Sequence, residues 1–250
     1  MKTLIFTTAV NTHNTDLYKE NRSVNDTDIF SIAKRTWEHY CRRIGADFYV
    51  IEKSLHPNTS PHWFRYWIFD IKPGYDRYLY IDTDVLVKWD APNIFEEFKP
   101  GSIYAVHDNG GLRWIWDGIN AYKSMFPNLN LDWDTYFNSG MLLFDQSHKE
   151  VFQAFKNFYI ENQNIIQQYR DTHKKGHDQT IFNYFLLYAE EEVKLVSEKW
   201  NLFHMNRREI LQNGYFVEMG YFWHFNDIDR KIQVPFLTNV WNKFQTYYQI

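Results

Sequence analysis

Apolar and polar positions in the first 90 residues divide the chain into segments of two different periods. Continuous or alternating apolar runs rich in β-branched residues predict strands, whereas apolar positions three and four residues apart predict helices. The predicted elements are a strand at residues 2–9, a helix at 27–44, a strand at 47–51, a helix at 62–71 and a strand at 77–89. Gly45 follows the first of these helices, in a position where glycine commonly ends a helix. This β-α-β-α-β order is the signature of a parallel sheet covered by helices.

The rest of the chain continues the alternation with shorter strands. Further strands are predicted at residues 102–107, 136–145, 193–196 and 221–225, and further helices at 147–169, 179–188 and 236–248. Residues 108–134, rich in Gly, Asn and Trp, predict a loop. Ser147 and Glu150 fit a capping box at the start of the helix that they open. Since the sequence shows no repeat and no linker, we expect one α/β domain over residues 1–250, with a mostly parallel, Rossmann-like central sheet flanked by helices.

Two carboxylates interrupt the strand predicted at residues 77–89. Asp82 and Asp84 stand in a run of aromatic and β-branched residues that is apolar enough to be buried on both faces of a sheet. Burying two carboxylates costs free energy unless a cation or hydrogen bonds compensate them. Together they offer hard oxygen ligands through which Mn²⁺ or Mg²⁺ can bind a diphosphate. A strand end followed by an Asx turn is the alternative explanation of the same two acids.

Three more groups of polar residues interrupt apolar segments later in the chain. They are Asn138 and Ser139 before an apolar strand, Asp178 and Gln179 before a helix, and His224 between two aromatic residues. Because ligands of open parallel sheets bind outside the carboxyl ends of the strands, we expect these groups to converge on the two aspartates. Taken singly, each group also has a plain structural explanation: a turn, an acid at a helix N-terminus, and a core histidine.

Composition and charge narrow the classes of function. With 27 basic and 31 acidic residues the net charge is −4, so charge does not indicate a nucleic-acid or anionic-membrane partner. A single cysteine, Cys41, cannot form an intrachain disulfide and fits a reducing, cytoplasmic compartment. The first ten residues predict a strand rather than a signal peptide, and no stretch is apolar enough to span a membrane. Aromatic residues make up 20% of the chain and can stack on sugar rings, but a bulky core explains most of them.

The order of these polar groups resembles that of family 8 glycosyltransferases, which include glycogenin-like enzymes. The resemblance covers about residues 2–231, and its best segments are Tyr-Asp-Arg-Tyr-Leu-Tyr-Ile-Asp-Thr-Asp at 75–84 and Phe-Asn-Ser-Gly at 137–140. Each motif is weak alone, whereas four motifs in the family's order are specific. The resemblance implies a GT-A fold and a Mn²⁺-dependent enzyme, with Mg²⁺ as the other candidate metal. It also implies transfer of a hexose from a UDP-sugar, UDP-glucose or UDP-galactose, to a glycan or protein-linked acceptor with retention of anomeric configuration.

The same resemblance implies roles for individual residues. The implied metal ligands are Asp82, Asp84 and His224; the nucleotide contacts are Thr8, Ala9, Tyr18, Thr83, Arg230 and Lys231; the donor-hexose contacts are Arg65, Asp108, Asn138 and Ser139; and the groups at the reacting face of the sugar are Asp178 and Gln179. The nucleotide-binding part would be about residues 1–110 and the acceptor-side part about 111–235, with an amphipathic helix at about 236–250. An oxygen beside the anomeric carbon fits either a covalent intermediate or front-face attack assisted by UDP.

One departure from the family's pattern concerns the diphosphate. The family usually follows its late histidine with a glycine and then a lysine, whereas Asp227 stands at the glycine position here and the cation must be Arg230 or Lys231. A non-catalytic module of the same fold that binds a UDP-sugar or carbohydrate is therefore an alternative.

Residues 82–86 also resemble the first motif of haloacid-dehalogenase-type phosphatases, but that motif usually opens the chain and needs a later lysine and acidic pair.

The acceptor would be recognised by variable loops, because loops on a rigid scaffold commonly carry specificity. In this chain the candidates are the segment that contains Trp114, Trp116 and Trp133 and the region after Lys199. These tryptophans fit stacking on a glycan, and they fit packing equally well.

Overall fold

The structure, a computed structural model, describes residues 1–10, 28–175, 178–203, 205, 207–212, 214–226, 228 and 230–248. The strands are β1 (Thr3–Thr8), β2 (Asp47–Ile51), β3 (Arg77–Ile81), β4 (Val85–Val87), β5 (Ile103–His107), β6 (Phe137–Asp145), β7 (Val193–Val196) and β8 (Phe222–His224). The α-helices are α1 (Asp28–Ile44), α2 (Ile68–Ile71), α3 (Ile94–Glu97), α4 (Leu112–Tyr122), α5 (Lys149–His173), α6 (Gln179–Tyr188), α7 (Arg208–Gln212), α8 (Phe216–Met219) and α9 (Arg230–Phe244). Short 3-10 helices lie at Pro61–Trp67, Lys123–Met125, Gln146–His148, Glu198–Trp200 and Gln245–Tyr248.

The described residues form a central six-stranded sheet in the order β2-β1-β3-β6-β5-β7. Strand β1 pairs in parallel with both β2 and β3, and β5 pairs in parallel with β7. Strand β6 is the exception, because it runs antiparallel to its two neighbours, β3 and β5. Strands β4 and β8 form a separate antiparallel pair. The predicted α/β architecture with a mostly parallel central sheet is confirmed.

The central strands are buried on both faces, between two hydrophobic layers. On β3, Tyr78 and Tyr80 join the layer that contains α2, α4, α5 and α6, whereas Leu79 and Ile81 join the layer that contains α1 and α9. All five residues of β3 are buried. Double-sided burial explains why this strand is apolar at successive positions rather than at every second one, as the sequence predicts.

The strand predicted at residues 77–89 is in fact two strands in different sheets. The chain turns after β3, where the Val85 N–H donates to the Asp82 carbonyl at 3.2 Å, and β4 then pairs with β8. The helix predicted at residues 62–71 is likewise divided, into the 3-10 helix Pro61–Trp67 and the short α2. The first division falls at Asp82 and Asp84, where a strand end followed by a turn was the alternative explanation of the two acids. The second occurs inside an apolar segment, where the hydrophobic pattern carries no signal.

The loop predicted at residues 108–134 contains a helix, α4. Glycine and asparagine in this segment lower its helix propensity, which is why the sequence predicts a loop. The helix forms because Ile115, Ile119 and Tyr122 lie on one face and are buried in the core. Burial of an apolar face commonly outweighs weak propensity.

The predicted ends of two helices, α5 and α9, are also displaced. The cap before α5 is formed by Asp145, whose side chain accepts from the Ser147 N–H at 2.9 Å, with His148 rather than Glu150 completing the capping box. Helix α5 continues to His173, four residues beyond the predicted end at residue 169. Helix α9 begins at Arg230, six residues before the predicted start, and continues through Pro235.

The C-terminal segment docks on the domain. Leu237 and Val240 of α9 are buried in the layer that also contains α1. The Trp89 ring stacks on Phe244 and on Tyr247, with ring centres 5.3 and 4.4 Å apart.

The buried aromatic layer beside α5 gives a prediction for stability. Phe152 is fully buried, and its ring centre lies 4.2 Å from that of Phe144 on β6. We expect Phe152→Ala to lower the free energy of unfolding by about 3–5 kcal/mol, because it removes an aromatic ring and leaves a cavity. Urea denaturation measures the change. The control is Ile165→Ala on the same helix, 48% exposed, which should change stability by less than about 0.5 kcal/mol. Equal losses in the two variants would contradict this picture of the core.

Candidate active site

Three side chains that can bind a metal ion meet where β3, β4 and β8 come together. Asp82 follows the end of β3, Asp84 precedes β4, and His224 is the last residue of β8, paired in register with Val85. One ligand atom from each lies within 4.8 Å of the others. The His224 Nε2 lies 3.2 Å from Asp84 Oδ1 and 3.8 Å from Asp82 Oδ2. The structure thus brings the three predicted metal ligands together.

The charges of this cluster are set by its neighbours. Burial by itself raises the pKa of the Asp82 carboxyl, but Arg65, His224 and the Tyr80 hydroxyl outweigh it and hold that pKa below its usual value. Burial by itself lowers the pKa of His224, whereas Asp84 and Asp82 raise it, and the net pKa lies above its usual value. Two carboxylates facing one imidazole nitrogen form a donor set that fits a divalent cation, which would replace the proton on that nitrogen.

Gly140 of β6 makes the closest backbone approach to the cluster. Its carbonyl accepts from the Asp82 N–H at 2.9 Å. A Cβ atom at this position would lie 2.4 Å from Cε1 of His224 and 2.8 Å from Oδ2 of Asp82. Only glycine therefore fits here, a role that the Phe-Asn-Ser-Gly motif did not reveal by itself.

The Gln179 carboxamide is held in one orientation at the start of α6. Its Oε1 accepts from the Ser139 N–H at 3.0 Å, and its Nε2 donates to Asp108 Oδ2 at 2.7 Å and to the Tyr136 hydroxyl at 3.2 Å. Gln179 is partly exposed, whereas Asp108 and Ser139 are buried. These contacts unite three predicted site residues from three separate segments.

Asn138 connects this amide group to the metal-ligand cluster. Its Nδ2 donates to Asp108 Oδ2 at 3.5 Å, and its Oδ1 accepts from the Gly140 N–H at 2.9 Å. The same Oδ1 accepts from Nδ2 of Asn201, whose own Oδ1 lies 2.9 Å from Nδ1 of His224. Asn201 was missed by the sequence analysis, because a lone asparagine after a tryptophan gives no signal.

Arg65 lies between two of the acids and is 2% exposed. Its Nη2 lies 3.4 Å from Asp82 Oδ1 and its Nε lies 3.5 Å from Asp178 Oδ2, while its guanidinium lies 4.1 Å from the centre of the Tyr80 ring. The Tyr66 hydroxyl donates to Asp178 at 2.6 Å, and the Tyr80 hydroxyl donates to Asp82 at 2.5 Å. Sequence reasoning missed both tyrosines, which stand in apolar runs like ordinary core residues.

The connected network carries an excess of negative charge. Its acids are Asp82, Asp84, Asp108 and Asp178, and among the residues with described contacts to them Arg65 is the permanent cation. A site with this balance favours a further positive charge, such as a divalent cation or the positive charge that develops on a reacting sugar.

The predicted nucleotide contacts lie at the same edge of the sheet, as far as the structure describes them. Thr8 ends β1, two residues after Phe6, which pairs with Tyr80 of β3. Ala9 follows, with its N–H donating to the Ile51 carbonyl at 2.9 Å. Thr83 lies in the turn between β3 and β4.

The remaining nucleotide contacts have no described side chain. Tyr18 and Asp227 lie outside the described residues. Arg230 and Lys231 form the first residues of α9, and the structure describes them only as backbone. Their roles stay predictions.

The tryptophans proposed to contact an acceptor are partly exposed. Trp114 and Trp116 of α4 are 44% and 58% exposed, and Trp133 is 44% exposed. The Lys175 ammonium lies 4.7 Å from the centre of the Trp114 ring, and His107 Nε2 lies 3.0 Å from the Trp133 carbonyl.

Solved structures of glycosyltransferases are similar to this chain in fold. A glycosyltransferase involved in the glycosylation of the major capsid of PBCV-1 superimposes with a TM-score of 0.60 at 15% identity, over 96% of this chain and 100% of its own. The bifunctional glycosyltransferase WbbM gives 0.56 at 14% identity, over 99% of this chain and 52% of WbbM. The glycosyltransferase GlyE of Streptococcus pneumoniae gives 0.51 at 13% identity, over 98% of this chain and 63% of GlyE. At these identities the structures show the fold, which is the GT-A fold of glycosyltransferases.

The family follows from the sequence itself. The sequence model of glycosyl transferase family 8 matches residues 1–226, and the chain belongs to this family. No curated protein matches the chain significantly. Among the described residues, no helix combines the length and the apolar character that crossing a bilayer requires.

The close approach of Gly140 gives a prediction for the site. We expect Gly140→Ala to weaken Mn²⁺ binding by at least about tenfold, because the added methyl group displaces His224 and Asp82 from their shared position. Binding is measured from the electron paramagnetic resonance signal of free Mn²⁺. The control is Gly118→Ala within α4, where the added carbon meets the Thr180 hydroxyl at 3.1 Å and lies within 4 Å of none of the three proposed metal ligands. Wild-type affinity in Gly140→Ala would contradict the proposed geometry.

Proposed function

We propose that this protein is a retaining glycosyltransferase that moves a hexose from a UDP-sugar to a hydroxyl of a glycan or protein-linked acceptor. Membership of glycosyl transferase family 8 supports the class of reaction. The proposed metal and sugar donor are supported by one observation. Asp82, Asp84 and His224 converge at one edge of the sheet, beside the amide network of Asn138 and Gln179. UDP-glucose and UDP-galactose are the proposed donors.

The metal-ligand cluster would hold Mn²⁺, or alternatively Mg²⁺, which as a Lewis acid stabilises the negative charge of a departing diphosphate. Thr8, Ala9 and Thr83 would contact the nucleotide from the adjoining strand ends. The Thr8 hydroxyl is buried and has no hydrogen-bond partner among the described residues. Arg230 and Lys231 are the proposed cations for the diphosphate, and Tyr18 is the proposed cover of the base.

The donor hexose would lie against Asp108, Asn138 and Ser139. In the transfer, the bond from the anomeric carbon to the diphosphate oxygen breaks and a bond to the acceptor oxygen forms on the same face. The Gln179 carboxamide is fixed by its bonds to Ser139 and Asp108. Its oxygen accepts from the Ser139 N–H at 3.0 Å and from the Ser139 hydroxyl at 3.5 Å, and its partial negative charge would stabilise positive charge at the anomeric carbon.

Asp178 is the other residue proposed at the reacting face. It is 3% exposed, and its carboxylate already accepts from Tyr66 and lies beside Arg65. This burial favours Gln179 as the group that contacts the sugar. Asp178 would then orient Arg65, and through it Asp82. A covalent intermediate and front-face attack assisted by UDP both remain compatible with this arrangement.

Two alternatives differ in how well they fit the family. The phosphatase interpretation of residues 82–86 is disfavoured, because the chain belongs to a glycosyltransferase family. A non-catalytic module of the same fold that binds a UDP-sugar or carbohydrate remains the rival proposal, and Asp227 at the family's glycine position is its support. Binding of UDP without turnover separates it from an enzyme.

Other parts of the proposal rest on the sequence. Residues 1–110 are proposed as the nucleotide-binding part and 111–235 as the acceptor-side part, which contributes His224 to the shared cluster. The exposed tryptophans of the acceptor-side part are proposed to stack on an acceptor glycan. A cytoplasmic location rests on the single cysteine.

The metal site gives the first functional prediction. We expect UDP to bind the wild-type protein in the presence of Mn²⁺ and to bind at least about tenfold more weakly without it, because the cation bridges the carboxylates and the diphosphate. Asp84→Asn should bind UDP weakly both with and without Mn²⁺, because an amide is a weaker metal ligand than a carboxylate. Isothermal titration with UDP measures both effects.

The matched control is Asp90→Asn, an exposed aspartate paired with Lys88, which should bind UDP as the wild-type protein does. Absence of UDP binding by the wild-type protein in both conditions would remove the nucleotide–metal site from the proposal.

The amide network gives a second functional prediction. We expect Gln179→Ala to lower kcat by about 100-fold while the Kd for UDP stays within about threefold, because the lost contact acts on the sugar rather than on the nucleotide. Release of UDP from UDP-glucose and UDP-galactose measures turnover. The control is Gln163→Ala on α5, whose amide bonds to the Asn58 carbonyl. UDP binding without turnover of any UDP-sugar by the wild-type protein would favour the non-catalytic module.

A further inference from the structure

Asn201 lies in the middle of a hydrogen-bond chain that ends on the histidine of the candidate metal site. It is fully buried and directly follows the 3-10 helix Glu198–Trp200. Its side chain is uncharged, and its amide contacts Asn138 Oδ1 and Nδ1 of His224. A buried amide that touches a candidate ligand is placed to act on the cation through that ligand.

The orientation of the Asn201 amide follows from a backbone group. The Gly140 N–H can only donate, so the Asn138 atom that it contacts at 2.9 Å must be the oxygen, Oδ1. Asn201 approaches the same oxygen at 2.9 Å and must present its NH₂ group. The other atom of the Asn201 amide is therefore its oxygen, and this oxygen faces Nδ1 of His224 at 2.9 Å.

This orientation decides which ring nitrogen of His224 stays protonated. An amide oxygen only accepts hydrogen bonds, so Nδ1 must carry the proton that it receives. The opposite nitrogen, Nε2, faces Asp84 at 3.2 Å and Asp82 at 3.8 Å. Its lone pair is then the one available to a cation that shares the two carboxylates.

The backbone keeps Asn201 in register with His224. The neighbouring Leu202 donates its N–H to the Phe222 carbonyl at 2.8 Å, and its carbonyl accepts from the His224 N–H at 2.9 Å. These two bonds join the segment to β8 on either side of Trp223. The distance between the Asn201 amide and the imidazole is therefore set by main-chain pairing.

We propose that Asn201 is a positioning residue of the metal site, which accepts from Nδ1 of His224 and so presents Nε2 to the cation held with Asp82 and Asp84. This inference rests on the metal site of the proposed function. It adds a residue that would touch neither the cation nor the substrate. The Gly140 N–H fixes the orientation of the Asn138 amide and, through it, that of the Asn201 amide.

The test combines Mn²⁺ affinity with a direct view of the imidazole. Free Mn²⁺ is titrated by electron paramagnetic resonance in the wild-type protein and in Asn201→Ala. In parallel, protein labelled with ¹⁵N-histidine and saturated with Mg²⁺ is examined by NMR for a slowly exchanging Nδ1–H, assigned to His224 by its loss in His224→Gln. We expect Asn201→Ala to raise the Kd for Mn²⁺ about 10- to 100-fold and to lose the slowly exchanging ring proton.

The matched control is Asn183→Ala. Asn183 is another buried amide, which exchanges two hydrogen bonds with the main chain of Phe137 and does not contact His224. This variant should unfold at a lower temperature, yet it should keep the Mn²⁺ affinity and the ring proton. If Asn201→Ala does not fold, Asn201→Leu, which keeps most of the side-chain volume, takes its place.

The outcomes separate this inference from the function on which it rests. A wild-type protein that shows the ring proton but binds no Mn²⁺ would overturn the proposed metal site, and the positioning role with it. Mn²⁺ binding by the wild-type protein that is changed less than about twofold by Asn201→Ala would overturn the positioning role alone. An unchanged ring proton in Asn201→Ala would do the same.

Discussion

The hydrogen bond between the Asp82 N–H and the Gly140 carbonyl is the contact on which the rest of the site depends. It exists because β6 enters the sheet antiparallel, between β3 and β5, and so delivers residues 138–140 beside the end of β3. The approach leaves no room for a side chain at position 140. Through it, the carboxylates after β3, the amides of β6 and the histidine of β8 come to lie in one cluster.

Charge is the second constraint on this edge of the sheet. Four carboxylates are connected through Arg65, His224 and a set of amides, and Arg65 is already shared between Asp82 and Asp178. Buried ion pairs of this kind cost desolvation free energy and are retained where they are useful. A divalent cation held by Asp82, Asp84 and His224 would bind a diphosphate, and the amide network beside it would stabilise positive charge on a sugar, which is why the proposed reaction fits this edge.

The sequence revealed polar residues that stand within apolar segments and strands whose residues are apolar at successive positions. Asp82 and Asp84 could be predicted because carboxylates are conspicuous within an apolar run, and β1, β3 and β6 because double-sided burial demands continuous apolar residues. His224 became a candidate because the two aspartates need a cation, and the order of motifs in the family then implied its role as a ligand. Tyr66 and Asn201 could not be found, because a buried tyrosine in an aromatic segment and an asparagine after a turn look ordinary until their partners are known. The division between β3 and β4 falls at the same two aspartates, but the apolar pattern that resumes at Val85 gives no sign that the second strand joins a different sheet.

The central claim is that Asp82, Asp84 and His224 bind a divalent cation that contacts the diphosphate of a nucleotide donor. A crystal structure of the protein grown with Mn²⁺ and UDP, with data collected at the manganese absorption edge, tests it most directly. The account predicts one anomalous peak within about 2.0–2.4 Å of an oxygen from each aspartate and of Nε2 of His224, in contact with both phosphates. Bound UDP with no anomalous peak at these three residues, or a peak held by other side chains, would contradict it.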